Sequence, residues 1–200
     1  GKNLIKENYD IFYILPPSFS SAWMAFKSKI PIRIGYSGQF RNFFLSNAKK
    51  YEKKPRSVHI LREYINLISP NLSIEKYPPN FKMSKEWIES KLNSLKYKLP
   101  KSFFALSPGA SYGPAKQWPI EYFRKLAKKI NTFFDCKIII LGTLQDFDQG
   151  EEISNGLDSV KNFCGKTTLD QLLVILSKAK LLIGNDSGSM HLMGALNKPQ

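Results

Sequence analysis

Two short stretches hold the residues best suited to chemistry. The first is Ser107-Pro-Gly-Ala-Ser-Tyr-Gly-Pro-Ala-Lys-Gln-Trp-Pro119. It follows an apolar run at 102–106 and precedes an amphipathic segment at 120–130. A strand, a small-residue loop, a lysine and a helix can together cradle a phosphate. Pro108, Gly109, Gly113 and Pro114 bend the chain and keep side chains away from a ligand. Pro119 suits a first helical position, where its missing N–H has no consequence. The helix start behind it offers free N–H groups and a partial positive charge, to which Lys116 adds a full one. The spacing is not the P-loop pattern, which ends Gly-Lys-Ser/Thr. A surface loop with a solvated lysine is the competing interpretation.

The second stretch is Asn185-Asp-Ser-Gly-Ser-Met-His191. Asp186 can accept hydrogen bonds from sugar hydroxyls, and the N–H groups of Ser187, Gly188 and Ser189 can bind a diphosphate. His191, one turn later, can add a hydrogen bond or a charge. Equally, Asp186 or Ser187 can be a plain helix cap. A third stretch, Gly142-Thr143 through Asp146 and Asp148, puts two carboxylates after a strand. In nucleotide-binding sheets such an acid holds ribose hydroxyls; a solvated helix start, favoured by the dipole, is the alternative. No Ser/His/Asp triad, zinc spacing or Walker motif appears, and no metal site is expected.

The elements that must position these residues follow a regular plan from residue 98 onward. Strands at 103–106, 137–141, 160–163 and 180–184 alternate with helices at 120–130, 149–157, 169–178 and 190–196. Four βα units with small or polar residues after each strand predict a parallel sheet with ligands at its carboxyl edge. Lys116, Gly142, Thr143, Thr167, Thr168 and Asn185–Gly188 then share one edge. Upstream, strands are expected at 11–15 and 30–35. Helices are expected after a cap among Ser18–Ser21, over 57–68 and, capped by Ser84, through 92. His59 reads as a helix-surface histidine. Residues 69–83 read as irregular connection and 96–101 as a linker, giving domains 1–97 and 98–200.

The chain carries 30 Lys+Arg against 16 Asp+Glu, a net +14, which favours an anionic partner. Nucleic acid, a phosphorylated substrate and an acidic membrane surface all qualify, but the lysines are scattered rather than blocked. Cys136 and Cys164 lack metal-ligand spacing; Cys136 is expected to be buried, and nothing requires a disulfide, which suits a reducing cytosol. No apolar run reaches the ~18 residues of a membrane span, and there is no signal peptide. With no initiating methionine, and an end at Gln200 where a strand would usually follow a helix, the chain is expected to be a fragment.

Together the two main stretches resemble the bacterial lipopolysaccharide heptosyltransferases, most closely the heptosyltransferase II type. That family carries Pro-Gly-Ala, two variable positions, Gly-Pro-Ala-Lys, one position and Trp-Pro. It also carries Asn-Asp-Ser-Gly, one position and Met-His. Here these are Pro108–Ala110, Gly113–Lys116, Trp118-Pro119, Asn185–Gly188 and Met190-His191. Weaker similarity upstream extends the resemblance over nearly the whole chain.

The resemblance implies a GT-B enzyme: two Rossmann-like domains with parallel sheets, both incomplete in this fragment. The second domain would bind ADP-heptose through Gly109, Ala110, Ser111, Tyr112, Lys116, Gly142, Thr143, Asp146, Thr167, Asp186, Ser187, Gly188 and His191. Lys116 would neutralise the leaving diphosphate, Asp186 would orient the heptose, and residues around 166–168 would lie near the adenine. The first domain would bind the lipopolysaccharide inner core, with Arg33 and Arg41 as candidates for acceptor contact; solvated arginines are the alternative there. Inverting transfer would need no metal or other cofactor. The family's general base is an aspartate near the N-terminus of the family's first domain; no residue here matches it, so the 200-residue chain alone is expected not to transfer sugar. The resemblance places the enzyme in the cytoplasm, with possible peripheral contact at the inner membrane. Two other functions remain open: a different nucleotide-sugar-dependent GT-B transferase of cell-surface polysaccharide assembly, and a basic module binding nucleic acid. The absence of RNP, helix-turn-helix and zinc patterns argues against the last.

Overall fold

A computed structural model describes residues 2–51, 59–72, 80–110, 114–134 and 136–200. It divides into two compact units, Gly1–Pro78 and Pro79–Gln200. The first begins with helix α1 (Lys2–Ile5) and strand β1 (Ile11–Ile14). Helix α2 (Phe19–Lys27) follows, with Ser18 as its cap, its hydroxyl accepting from the Ser21 N–H at 3.2 Å. Strand β2 (Ile32–Tyr36) pairs parallel to β1, as the apolar run at 30–35 predicts. A third parallel strand, β3 (Asn47–Lys49), completes the order β1-β2-β3. Asn-Ala-Lys has no apolar signature, so this strand is invisible in the sequence; its backbone pairing with β2 makes it. Helix α3 (Ile60–Ile68) follows, and the exposed His59 is its cap: Nδ1 accepts from the Leu61 N–H at 3.2 Å. Ser57 and Val58, expected in this helix, lie outside the described residues.

In the second unit helix α4 (Lys85–Asn93), capped by Ser84, precedes four βα repeats. These are β4 (Phe103–Ser107) with α5 (Ile120–Phe133), β5 (Lys137–Ile140) with α6 (Phe147–Ser154), β6 (Val160–Asn162) with α7 (Leu169–Lys178), and β7 (Leu182–Gly184) with α8 (Gly188–Ala195). All pairings are parallel and the strand order is β6-β5-β4-β7. The boundary expected at 97/98 therefore falls earlier. Helix α4 packs in the second unit, where Lys91 pairs with Asp170 at 2.8 Å and Gln171 donates to the Ser94 carbonyl at 3.1 Å. A linker reading of 96–101 rested on Pro100 and polarity; the contacts of α4 with α7 outweigh both.

The period of two along the strands builds a core on each face. Phe103, Ala105, Ile139 and Leu141 turn to α7 and α8, among Ile175, Leu176 and Met193. Leu106, Ile138 and Ile140 turn the other way, to Phe123, Ala127 and Ile130 of α5 and Ile153 of α6. Both faces are covered, which is why these strands read as continuous apolar runs. Cys136 and Cys164 are buried and free. Among the described residues, no helix is long and apolar enough to cross a membrane.

Candidate functional site at the carboxyl edge of the second sheet

The chain leaves β4 toward β5 and β6, then returns to place β7 on the other side of β4. Such a reversal opens a crevice at the strand ends where ligands settle in open α/β sheets. The registers of β4 and β7 end level, Ser107 opposite Gly184. A Cβ on Gly184 would lie 2.7 Å from the Ser107 carbonyl oxygen, so glycine lets the two strand ends approach. The loops that leave them, one after Ser107 and one after Gly184, start side by side.

These loops bring Lys116 and Asp186 together. Lys116 ends a short 3-10 turn, Pro114–Lys116. Its Nζ donates to Asp186 Oδ2 at 2.7 Å, and both side chains are about half exposed. The hydrogen bond and charge of Lys116 hold the Asp186 carboxyl below its usual range, and His191 adds a smaller pull in the same direction. His191 Nε2 stands 3.7 Å from Asp186 Oδ1, an ion pair when the imidazole is protonated. Asp186 thus does not cap α8. Ser187 is the cap residue, with extended backbone and no side-chain cap bond; its buried hydroxyl has no partner among the described residues. Gly188 opens the helix. Pro119, expected inside the first turn of α5, is instead the cap residue before Ile120.

Gly109 is buried and Ala110 half-buried in the same loop. Ser111 and Tyr112, like Gly113, lie outside the described residues. On the neighbouring loop, after β5, the hydroxyl and N–H of Thr143 both donate to Asp146 Oδ2, at 2.8 and 2.7 Å. The acid expected at a ribose therefore caps its own turn with one oxygen. Its other oxygen faces the β4 loop, where a Cβ on Gly109 would come within 2.5 Å of it. Gly142 lies against the same acid and against Cys164. Burial, chiefly, pushes the Cys164 thiol up to about 12, so it is a neutral packing group and not a nucleophile. Thr167 is half-buried and lines a cavity of about 460 Å³ with Ser94, Tyr97, Lys166 and Gln171, at the end of β6. Lys166 lies over the rings of Tyr97 and Phe147, 5.9 and 5.1 Å from their centroids.

Of the two candidate arginines of the first unit, Arg33 is half-buried and Arg41 is buried. Arg33 Nε donates to the Phe44 carbonyl at 2.8 Å, and Nη1 bonds the carbonyls of Ile30 and Pro31. Arg41 is 1% exposed; Nη1 donates to the Pro16 carbonyl at 2.8 Å, while Nε and Nη2 find no acceptor among the described residues. Burial holds its pKa below the usual guanidinium value. One residue of the edge site stood in the motif without a role of its own. Asn185, in the loop after β7, is buried and bonds the loop after β4 twice, at Pro108 and at Trp118. Asparagine beside glycine and serine reads as a turn former, and no local signal says that its side chain points back across the sheet.

A parallel sheet with a paired lysine and carboxylate at its reversal point defines an α/β protein of the class whose members take ligands at the strand ends. With a second parallel sheet in its own unit, it is of the GT-B type of glycosyltransferase. The chain belongs to glycosyltransferase family 9 (heptosyltransferase), whose model matches residues 1–200. It is 30% identical over 212 residues to lipopolysaccharide heptosyltransferase 2 of Escherichia coli K12, covering all of this chain and 60% of that one. The structure of the E. coli ADP-heptose lipopolysaccharide heptosyltransferase II superposes with a TM-score of 0.82 at 28% identity, over 98% of this chain and 63% of the other. The E. coli heptosyltransferase WaaC with ADP shares the fold, with a TM-score of 0.73 at 18% identity over 99% and 63%. The chain thus spans about 60% of the length of that curated relative.

Proposed function

We propose that the whole protein transfers L-glycero-D-manno-heptose from ADP-heptose to the inner core of lipopolysaccharide, with inversion at the anomeric carbon. The observation that carries this reading is the 2.7 Å contact of Lys116 with Asp186, across 70 positions of sequence, at the reversal point of the sheet. The names of the E. coli relative and of its solved counterpart support the choice of heptose, ADP and lipopolysaccharide. An acceptor hydroxyl oxygen forms the new bond to the anomeric carbon as the bond to the diphosphate oxygen breaks. Negative charge grows on that diphosphate, and Lys116 together with the amides of Ser187 and Gly188 is placed to stabilise it. Asp186 then turns to the heptose hydroxyls and His191 supports the same end. Gly109, Ala110, Ser111, Tyr112 and Gly142 form the cradle, Thr143 or Asp146 the ribose contact, and Thr167 the wall near the adenine.

In this reading the cation at the leaving group is Lys116, with no metal or other cofactor taking part. The base for the acceptor proton is assigned to no residue of this chain, so the 200 residues by themselves bind ADP without transferring sugar. Arg33 and Arg41 are the acceptor-side candidates; Arg33 is already engaged with three carbonyls and Arg41 is buried, so either has to give up its present setting to meet an acceptor. The net +14 suits a phosphorylated acceptor and peripheral contact with the acidic cytoplasmic face of the inner membrane.

Transfer assays on the whole protein with ADP-heptose and with UDP-sugars test the reading, with the anomeric configuration of the product read by NMR. Heptose transfer from ADP-heptose with inversion is expected. Transfer from a UDP-sugar, with ADP-heptose unused, would select another polysaccharide glycosyltransferase of the same fold.

A further inference from the structure

We propose that Asn185 is the positioning residue that holds the two loops of the edge site in register, so that Lys116 and Asp186 meet a diphosphate together. The proposal rests on the donor-site reading above. The backbone N–H of Asn185 donates to the Ser107 carbonyl at 3.2 Å, and its Nδ2 donates to the Pro108 carbonyl at 2.6 Å. Its Oδ1 accepts from the Trp118 N–H at 3.0 Å. One side chain therefore grips the β4 loop where it leaves the strand and again two residues past Lys116. The backbone of Asn185 runs straight into Asp186. Trp118 is fixed in turn on α5, its ring 4.9 Å from that of the buried Phe123.

The exposed Lys116–Asp186 pair cannot set the loop spacing by itself, because a solvated lysine gains little from pairing and has many rotamers. Asn185 can, because a primary amide offers a donor and an acceptor from one rigid plane. Aspartate loses the donor, and alanine leaves the Trp118 N–H and the buried Pro108 carbonyl without a partner, which is costly.

Asn185→Asp gives the sharpest test. It keeps the shape and the acceptor but puts an oxygen where Nδ2 now meets the Pro108 carbonyl. An ionised carboxylate is repelled there; a protonated one donates as the amide does. A buried carboxyl against a carbonyl also titrates above its ordinary value. Among the described residues Asp186, Lys116 and His191 are the charged or titratable groups nearby, and they are present in the unsubstituted chain, which serves as baseline.

Two quantities are measured on the 200-residue chain between pH 5.5 and 8: the hydrogen-exchange protection of the Trp118 amide by NMR, and ADP affinity by calorimetry. The Leu141 amide, bonded to the Leu106 carbonyl at 2.8 Å, reports the integrity of the sheet. Asn185→Ala is expected to lower Trp118 protection and ADP affinity each by about tenfold, the worth of one or two net hydrogen bonds, with Leu141 unchanged. Asn185→Asp is expected to show both losses at pH 8 and to regain both as the pH falls, whereas the unsubstituted chain shows no such recovery. Unchanged Trp118 protection in Asn185→Ala overturns the brace, as does protection in Asn185→Asp that ignores pH. Lost protection with full ADP affinity overturns the positioning role. Should Asn185→Ala not fold, the acid and alkaline states of Asn185→Asp decide alone. Should the unsubstituted chain not bind ADP, the donor-site reading fails, while the protection factors still judge the brace.

Discussion

Each parallel sheet carries a cation just beyond its strand ends, and the two are held in opposite ways. Lys116, after β4, is half exposed and paired with Asp186 at 2.7 Å. Arg41, after β2, is 1% exposed and, among the described residues, is satisfied at one nitrogen only, by the Pro16 carbonyl. Their surroundings follow from this contrast. Lys116 ends a 3-10 turn in a loop braced by Asn185, with its own side chain half exposed. Arg41 is walled in by Gly35, where a Cβ would lie 2.7 Å from Nη2 and 3.3 Å from Leu45. A solvated cation can trade its partner for a ligand at little cost. A buried one is part of the packing, and its desolvation persists whether or not an anion arrives. The first unit therefore uses its cation to build the edge, and the second keeps its cation available there.

The sharpest way to break this contrast is through activity. Lys116→Ala in the whole enzyme is expected to lower kcat by about 100-fold or more, as for loss of one preorganised group at a developing charge. Its thermal unfolding midpoint should stay that of the parent. Unimpaired turnover would remove Lys116 from the chemistry. Arg41→Ala is expected to do the converse, costing about 3 kcal/mol in urea unfolding through an emptied core position and the loss of its bond to the Pro16 carbonyl. An unchanged urea midpoint would mean that Arg41 does not build the edge.

A smaller effect sharpens the packing side. Gly35→Ala pushes a methyl group into Nη2 of Arg41 and should cost about 1–3 kcal/mol, the usual range for overpacking. The same methyl should cost less once Arg41 is already alanine, with the 3.3 Å approach to Leu45 still left, a double-mutant test of whether the two share one space.

The smallest effect concerns pH. The Asp186 carboxyl, held low by Lys116, should titrate by NMR below the ordinary aspartate range and return to it in Lys116→Ala. A depressed folded pKa contributes stability that is complete above the unfolded value of about 3.9 and is lost as pH falls through the folded one. The pair should therefore leave stability flat through neutral pH and act only on the acid side. An Asp186 titration that ignores Lys116→Ala would show that the contact is not formed in solution.

Much of this was legible in the sequence. The apolar runs at 103–106 and 137–141 announced buried parallel strands, because both faces of the sheet are covered and alternation disappears. The serines at 18–21 and Ser84 announced helix starts, because a hydroxyl before an amphipathic run answers the first free N–H groups. Gly109, Lys116, Asp186 and His191 stood in motifs specific enough to point to a family, and residue types that bind phosphate and sugar were recognisable locally.

Tertiary structure decided what depends on contacts distant in sequence. Helix α4 joined the second unit through Asp170 and Gln171, which no local signal near 85–93 contains. The Asn-Ala-Lys of β3 became a strand only because β2 lay beside it. Arg41 turned from a candidate surface charge into a buried one because Gly35 and Leu45 enclose it. Asp146 spent one oxygen on Thr143, and Asn185 turned from a turn former into a brace. Residue type dictates which interactions a side chain is able to make; the folded chain dictates which partner is within 3 Å, and hydrogen-bond and Coulomb energies fall too steeply with distance for sequence position to stand in for it.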